Sequence, residues 1–118
     1  MKKHKDYDCN LGCMVENTLE IIRGKWKGIV LTLLFDKCYR FNELQRQMPG
    51  VTQRILTKQL RELEQAGLVV REVLSLKPFA VCYSLTDLGR TLKPVMHCLK
   101  QWSLDHGHEV YALETVQD

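Results

Sequence analysis

Several polar side chains between residues 52 and 65 are spaced so that they would share one side of a helix. At roughly 100° per residue, an arc of about 140° collects one amide, one hydroxyl and three cations. The members of this polar arc are Gln53, Arg54, Thr57, Lys58 and Arg61. Arginine can pair with guanine, glutamine with adenine, and threonine can contact the methyl group of thymine. By itself the arc is equally typical of a solvated helix face, so the flanking sequence has to decide.

Signals at both ends define the helix that would carry the polar arc. Thr52 is a good N-cap, because its hydroxyl can accept a hydrogen bond from an exposed amide of the first turn. Gly67 is a good C-terminal stop, because it tolerates the left-handed backbone there. Between them, Leu56, Leu60 and Leu63 recur at helical spacing and form a narrow apolar stripe. The sequence therefore predicts an amphipathic helix with its leucines in the core.

A shorter helix comes directly before this one. We expect Asn42 to cap it, and Pro49 with Gly50 to end it in a tight turn. Helix, short turn with glycine and helix make a helix-turn-helix motif over about 42–67. The second helix of such a motif enters the major groove of DNA. This context favours DNA contact over a merely solvated face, and it adds Asn42 and Thr52 to the candidate DNA-binding residues.

The segment after Gly67 has the pattern of a β-hairpin. Residues 69–75 are rich in β-branched side chains, and residues 79–85 alternate aromatic, small and apolar ones. A hairpin at about 69–85 behind a recognition helix is the wing of a winged helix. Lys77 would lie at its tip, either against a phosphate or as a solvated loop lysine. The brief extended stretch 38–41 needs a partner strand, and the hairpin can provide one.

Three further helices complete the predicted fold, which is mainly α with a small β-hairpin. A central one opens at Lys25–Trp26, with Trp26 as a packing anchor and Ile29, Val30, Leu33 and Leu34 as its apolar face. A first helix covers about 10–23, with Asn10 as cap and Gly24 as its end. A last helix covers about 87–104, capped by Thr86 and kinked at Pro94. Residues 105–118 are expected to be a mixed tail, with at most one more short helix.

Apolar residues of the two outer helices are arranged like a dimer interface. In the last helix they follow alternating spacings of four and three, which is a seam of the coiled-coil type. These residues are Leu88, Leu92, Val95, Leu99 and Trp102. Val15, Leu19 and Ile22 of the first helix could complete the seam. Because the predicted core is already filled by the other elements, we expect a homodimer joined through these two helices.

Length and composition limit the class of protein. The chain has 118 residues, of which 45% are hydrophobic and 26% charged, so residues 1–118 are expected to form a single soluble domain. The net charge of +3 permits binding to nucleic acid without requiring it. The absence of a long apolar run and of a signal peptide predicts a cytoplasmic protein without a membrane partner. Five cysteines, an odd number, argue against a structural disulfide framework in that compartment.

Three segments together resemble a known family. They are CMVENTLEIIRGKWKGIVLTLL, YRFNELQRQMPGVTQRILTKQLRELEQAGLVVR and YSLTDLGRTLKPVMHCLKQW, which span roughly residues 13–102. In them Gly24-Lys25-Trp26, the run of residues 60–64 and Tyr83-Ser84-Leu85-Thr86 are similar to the motifs of HxlR-type winged-helix transcriptional regulators of bacteria. This resemblance implies a homodimer that presents two recognition helices and two wings to a dyad-symmetric operator.

The resemblance also implies a role for a cysteine. Several members of the family sense electrophiles or oxidants through a cysteine just ahead of the first helix, and Cys13 stands at that position. A thiolate in the first turn of a helix is stabilised by the helix N-terminus, although Glu16 opposes this effect. Cys9 is the candidate resolving thiol. The alternative is that Cys13 is a small buried hydrophobe. Three further cysteines are expected to be buried and inert: Cys38, Cys82 and Cys98.

Other classes of function have weaker support. An enzyme is not predicted, because the sequence offers no catalytic triad, phosphate-binding glycine loop or paired carboxylates, and it implies no cofactor. A metal-responsive regulator would use His4, Cys9 and Cys13, or His97 with Cys98, but these spacings match no common zinc site. A winged helix that binds protein instead of DNA remains a third possibility, against which the cations of the polar arc argue.

Overall fold

The computed structural model describes residues 11–117, with side chains as far as residue 110. Asn10, Cys9 and His4 lie outside the described residues. Within these described residues, six helices and three strands follow one another. They are α1 (Leu11–Ile22), α2 (Lys27–Leu34), β1 (Tyr39–Arg40), α3 (Phe41–Gln47), α4 (Gln53–Gln65), β2 (Val69–Leu76), β3 (Phe79–Leu85), α5 (Asp87–Arg90) and α6 (Lys93–Gln117). The predicted class, mainly helical with a small hairpin, is confirmed.

The three strands form one antiparallel sheet in the order β1-β3-β2. β2 and β3 make the wing, starting from the pair Val69 and Leu85 and turning at Lys77-Pro78, whose peptide bond is cis. The two-residue strand β1 pairs with β3 through Tyr39 opposite Tyr83. This confirms that the short extended stretch before the helix-turn-helix is stabilised by the hairpin. The sheet thus connects the start of α3 to the base of the wing.

The core lies between α2, α3, α4 and the base of the wing. Its most deeply buried side chains are Val30, Leu31, Leu34, Leu44, Met48, Leu56, Leu60 and Leu63. The predicted burial of Trp26 is confirmed, as it is only 9% exposed. The predicted face of α2 is partly wrong. Leu31 is fully buried while Ile29 is 40% exposed, because α2 begins at Lys27 and faces the core along a different side.

The predicted boundaries of the second helix of the motif are confirmed. Thr52 has extended backbone and its Oγ1 accepts a hydrogen bond from the Ile55 amide at 3.1 Å, which caps α4. Gly50 and Gly67 have φ of +91° and +78°, so the turn before α4 and the stop after it need residues that tolerate the left-handed region. Sequence alone was sufficient here because caps and glycines act locally.

The predicted cap of the first helix of the motif is wrong. α3 begins at Phe41, so Asn42 lies inside the helix and its side chain is exposed. The start of α3 is instead stabilised by Glu43, whose Oε1 accepts a hydrogen bond from the Arg40 backbone amide at 2.9 Å. This bond also holds the pKa of Glu43 below its ordinary value. The pairing of β1 with β3 fixes Arg40 in extended backbone and so sets where α3 starts.

The predicted last helix is in fact two helices. Thr86 caps the short α5, as its Oγ1 accepts from the Gly89 amide at 3.0 Å and donates to the Gly67 carbonyl at 2.6 Å. The Thr86 amide also donates to the Leu68 carbonyl at 3.0 Å. Gly89 packs so closely on Leu68 that a Cβ there would lie 2.2 Å from the Leu68 carbonyl oxygen. This junction ties the end of α4, the end of β3 and α5 together.

The break between α5 and α6 changes the role of three predicted features. α6 starts at Lys93, so Pro94 lies in its first turn, where its missing amide is not needed, and the predicted kink is wrong. α6 runs on to Gln117, so the predicted mixed tail beyond residue 104 is largely helical. Leu92 lies in the turn between the helices and packs against the core instead of continuing a seam.

Candidate nucleic-acid interface

Packing of α4 decides which of its faces meets the solvent. Leu56, Leu60 and Leu63 are at most 1% exposed, so they fix the rotation of the helix about its axis. The polar arc consequently faces outward, with four of its members exposed and Thr57 half-buried. Its five residues, together with Glu62 and Gln65, line one open groove along α4. The structure therefore brings all five residues of the polar arc together on a single accessible surface.

Two hydroxyls at this surface are already occupied by the backbone. Thr57 Oγ1 donates to the Gln53 carbonyl at 2.8 Å, and Thr52 Oγ1 is the cap of α4. The Thr57 methyl group, rather than its hydroxyl, is therefore the part left to contact a base. Gln53, Arg54, Lys58 and Arg61 keep exposed polar ends. The side chains able to discriminate bases by hydrogen bonds are thus the amide and the guanidinium groups.

An ion pair holds α4 against α2. Lys27 Nζ lies 2.6 Å from Glu62 Oε2, and the Lys27 side chain is only 13% exposed. The Lys27 hydrogen bond, and then the charges of Lys27 and Lys58, lower the pKa of the Glu62 carboxyl. The sequence interpretation did not find this pair, because a lysine and a glutamate far apart in the chain carry no local signal. Glu62 thereby compensates a half-buried cation beside the polar arc.

The wing and α3 place further polar groups on the surface. Lys77 is exposed in the turn of the wing, and its backbone amide donates to Ser75 Oγ at 3.2 Å. Asn42 is exposed on α3. Two exposed cations were not singled out from the sequence, Arg46 in the last turn of α3 and Arg71 on β2. Alternation along β2 puts Arg71 on the same side as the buried Val69, so the sequence pattern did not indicate that Arg71 is exposed.

An apolar groove separates the two outer helices. It has a volume of about 340 Å³ and is lined by Met14, Val15, Thr18, Leu19, Ile22, Val95 and Leu99. Ile22 also belongs to the core, so it forms the floor of the groove, while the other predicted interface residues here are 38–48% exposed. Trp102 is 56% exposed on α6, where its ring packs against that of His106. Leu88 does not line this groove, since it belongs to α5 and approaches Gly67 instead.

The cysteines differ from the sequence expectation. Cys13 is buried on α1, with 6% exposure. Cys82 is buried as predicted, and its pKa is raised to about 11 by burial and by a side-chain hydrogen bond with Cys38. Cys38 and Cys98, however, are exposed. The prediction that both are buried is wrong because Cys38 lies in the open stretch before β1, and Cys98 lies on the outer face of α6.

Two kinds of feature are missing from the part of the chain that the structure describes. Within it, no three His, Cys, Asp or Glu side chains are grouped so that they could hold a metal ion. None of the helices described is both long and apolar enough to cross a membrane.

Comparison with known proteins identifies this arrangement. The sequence model of a family described as HxlR-like helix-turn-helix matches residues 21–111. The chain belongs to the HxlR-like family. The relatives of this chain are named as transcriptional regulators, which are DNA-binding proteins and not enzymes. The predicted family, fold and class of function are thereby confirmed.

Individual relatives cover most of the chain. An uncharacterized HTH-type transcriptional regulator of Bacillus subtilis, YdeP, is 50% identical over 106 residues, which is 90% of this chain and 83% of that protein. Among solved structures, the reduced form of the redox regulator HypR has a TM-score of 0.80 and 47% identity, and covers 84% of this chain and 98% of that one. The reduced form of the regulator YodB from B. subtilis has a TM-score of 0.70 and 32% identity. It covers 76% of this chain and 88% of that one. Solved structures similar to this chain thus include that of a redox regulator.

Proposed function

We propose that this HxlR-like regulator reads a dyad-symmetric operator as a homodimer in the cytoplasm. The outward polar face of α4 carries the proposal. Gln53 and Arg54, in the first turn of the recognition helix, contact base edges in the major groove, because residues near the N-terminus of such a helix reach deepest. Thr57, Lys58 and Arg61 continue along the groove and its phosphates. The polar side chains that face water in the free protein would thus contact the DNA and select its sequence in the complex.

Contacts to phosphate complete each half-site. Lys77 in the turn of the wing and Asn42 on α3 are both exposed, and cation and amide groups suit phosphate oxygens. Thr52 stabilises α4 through its cap, which also directs the first amides of the helix outward. Contacts of this kind position the protein on the duplex without reading its sequence. They would supply most of the affinity that depends on salt.

The apolar groove between α1 and α6 supports the homodimer. Val15, Leu19, Val95 and Leu99 leave a continuous apolar surface along both helices, and Trp102 extends it. A second copy would cover this surface by packing its own α1 and α6 against it, which is the two-fold arrangement usual for homodimers. Symmetry would then place the two recognition helices about 34 Å apart, one turn of the duplex. The operator should accordingly have two half-sites with that spacing.

Selection of DNA fragments by the purified protein tests the proposal. We expect the enriched fragments to share an inverted repeat, and the affinity for it to fall steeply with salt, because binding releases counterions from the phosphates. A randomised fragment of the same length is the control for non-specific binding. Enrichment of no sequence, with an affinity that ignores salt, would instead favour a winged helix that binds protein.

We further propose that Cys13 makes DNA binding responsive to electrophiles or oxidants, with Cys9 as the resolving thiol. The similarity to HypR and YodB, which are a redox regulator and a regulator solved in its reduced form, favours this proposal. Cys13 is buried at the start of α1, next to the groove where a partner would pack. A modification there would shift α1, and with it the spacing of the two recognition helices.

Operator binding with and without diamide tests the role of Cys13. We expect diamide to change the operator affinity of a Cys38→Ser protein, which lacks the exposed thiol before β1. The same protein with Cys13→Ser added should bind the operator but ignore the reagent. Cys98→Ser is a matched control, since it removes a different thiol from an outer helix. A wild-type affinity that is the same in both conditions would end the sensor proposal and leave the assignment of the DNA-binding surface unchanged.

A further inference from the structure

Cys38 and Cys82 are brought together by the sheet, although they are far apart in the sequence. β1 pairs with β3 so that Arg40 stands opposite Cys82. Cys38 lies two residues before Arg40, and side chains two residues apart on an extended chain point to the same side. The diagonal position of Cys38 therefore places its thiol near that of Cys82, and the Cys38 side chain helps to raise the pKa of Cys82.

The two thiols differ in access. Cys82 is 2% exposed, between Arg40 on β1 and Glu72 on β2, whereas Cys38 is exposed in the open stretch before β1. A reagent from solution can therefore reach Cys38 and cannot reach Cys82 directly. An exposed thiol in contact with a buried one is the arrangement of an attacking and a resolving cysteine.

We propose that Cys38 and Cys82 form an oxidation site at which an uncharged peroxide creates an intramolecular disulfide between β1 and β3. Cys38 Sγ attacks one peroxide oxygen, the O–O bond breaks, and an alcohol, or water in the case of hydrogen peroxide, leaves with the thiol proton. Cys82 then loses its proton to solvent and attacks the Cys38 sulfenic acid, and the S–S bond forms as hydroxide leaves. The two sulfurs lose two electrons and the peroxide gains them.

The disulfide would act on the DNA-binding motif through β1, the strand directly before α3. Cys38 stands two residues before Arg40, which directly precedes α3, and Cys82 lies in β3, the central strand of the sheet and one of the two strands of the wing. A disulfide would make the connection between α3 and the wing covalent. This site is separate from Cys13, which lies on α1, and its chemistry does not depend on dimerisation or on DNA.

Peptide mapping of the whole protein after hydrogen peroxide tests the proposal. A variant with Cys9→Ser, Cys13→Ser and Cys98→Ser keeps only this pair. We expect it to lose both thiols per chain, to lose the mass of two hydrogens, to stay a single chain under denaturing non-reducing conditions, and to recover with dithiothreitol. Digestion of the oxidised wild-type protein should also give two peptides linked through Cys38 and Cys82. The result then does not depend on whether the triple variant folds correctly.

Replacement of the resolving thiol provides the matched control. Cys82→Ala in the same background should stop at the Cys38 sulfenic acid, which dimedone traps as an adduct, while the pair variant should give little adduct. Equal dimedone labelling of the two variants would overturn the proposal. So would a disulfide that links two chains, or a pair variant that retains both thiols under peroxide that oxidises Cys98 in the wild-type protein.

Discussion

The side chains of the polar arc divide into two kinds with different expected behaviour. Gln53 and Arg54 carry planar groups that can make paired hydrogen bonds to base edges, whereas Lys58 presents a point charge. All three are exposed on α4 and none is part of the core, so their replacement should leave the fold intact. Effects of such substitutions on DNA binding can therefore be attributed to the contact surface.

Arg54→Ala should reduce discrimination between the operator and a mismatched duplex by about 1–3 kcal/mol, because a paired contact to a base is lost. Lys58→Ala should weaken binding to both duplexes alike and lower the salt slope by about one. Fluorescence anisotropy at several salt concentrations measures both quantities. Lys100→Ala removes an exposed lysine from α6 and is the control. If Arg54→Ala and Lys58→Ala bind the operator as the wild type does, α4 has been assigned wrongly.

The Lys27–Glu62 pair predicts a dependence of stability on pH. The Lys27 hydrogen bond lowers the pKa of Glu62 below the ordinary value of 4.5. A carboxyl with a lowered pKa in the folded state stabilises the fold above its unfolded pKa, and this contribution is lost as pH falls through the folded pKa. Glu62→Gln should therefore lower the melting temperature slightly at neutral pH, and the difference from wild type should disappear in acid.

Thermal unfolding followed by circular dichroism across pH measures this difference. Glu64→Gln is the matched control, because it removes the same charge from the same helix at a position pointing to another side. The effect is expected to be small, since Glu62 is partly exposed and solvent screens the pair. A Glu62→Gln protein that stays less stable than wild type by the same amount in acid would show that packing, and not the ion pair, is responsible.

Elements whose ends are set by neighbours in sequence were predicted well. Thr52 and Gly67 bound α4 through local hydrogen bonding and backbone geometry, and the leucines between them recur at helical spacing. The start of α3 was missed because β1, a strand of two residues, fixes it through pairing with a distant strand. The break before α6 was missed because apolar spacing continues through Leu92, which turns inward to the core.

The junction of α4, β3 and α5 gives a prediction for the elements. Gly89→Ala should destabilise the protein by about 1–3 kcal/mol, because the added methyl group collides with the Leu68 carbonyl and a packed site resists expansion. Gly28→Ala is the matched control, since a Cβ there meets only Met96 Cε at 3.6 Å, and alanine favours a helix. Chemical denaturation measures both. Equal stability of the two variants would mean that the junction can open without cost.

At the scale of the whole molecule, the apolar groove predicts the oligomeric state. Light scattering should give twice the chain mass of 13.8 kDa for the wild type. Leu99→Glu should shift the mass toward the monomer, because it places a charge on the surface that the partner covers. Leu74→Glu is the control, since Leu74 is similarly exposed but lies on the wing. A wild-type monomer at micromolar concentration would remove both the dimer and the symmetric operator.

Sequence could indicate this surface only in part. The residues Val15, Leu19, Val95 and Leu99 were found from their spacing, because the same periodicity that marks a helix marks its apolar side. Leu88 and Leu92 lie before α6 and do not line the groove, because spacing does not reveal where one helix ends and another begins. The nearness of Cys38 to Cys82 could not be found either, because it depends on strand register.

Different residues of α4 pack in the core and face the solvent, and this affects how such regulators diverge. Its leucines hold the fold, while the five residues of the polar arc take no part in the core. Mutations in the arc can thus accumulate without loss of folding, and a duplicated gene can acquire a new operator while its product keeps the same scaffold. Transplanting the five residues from one paralogue to another should carry the choice of operator with them.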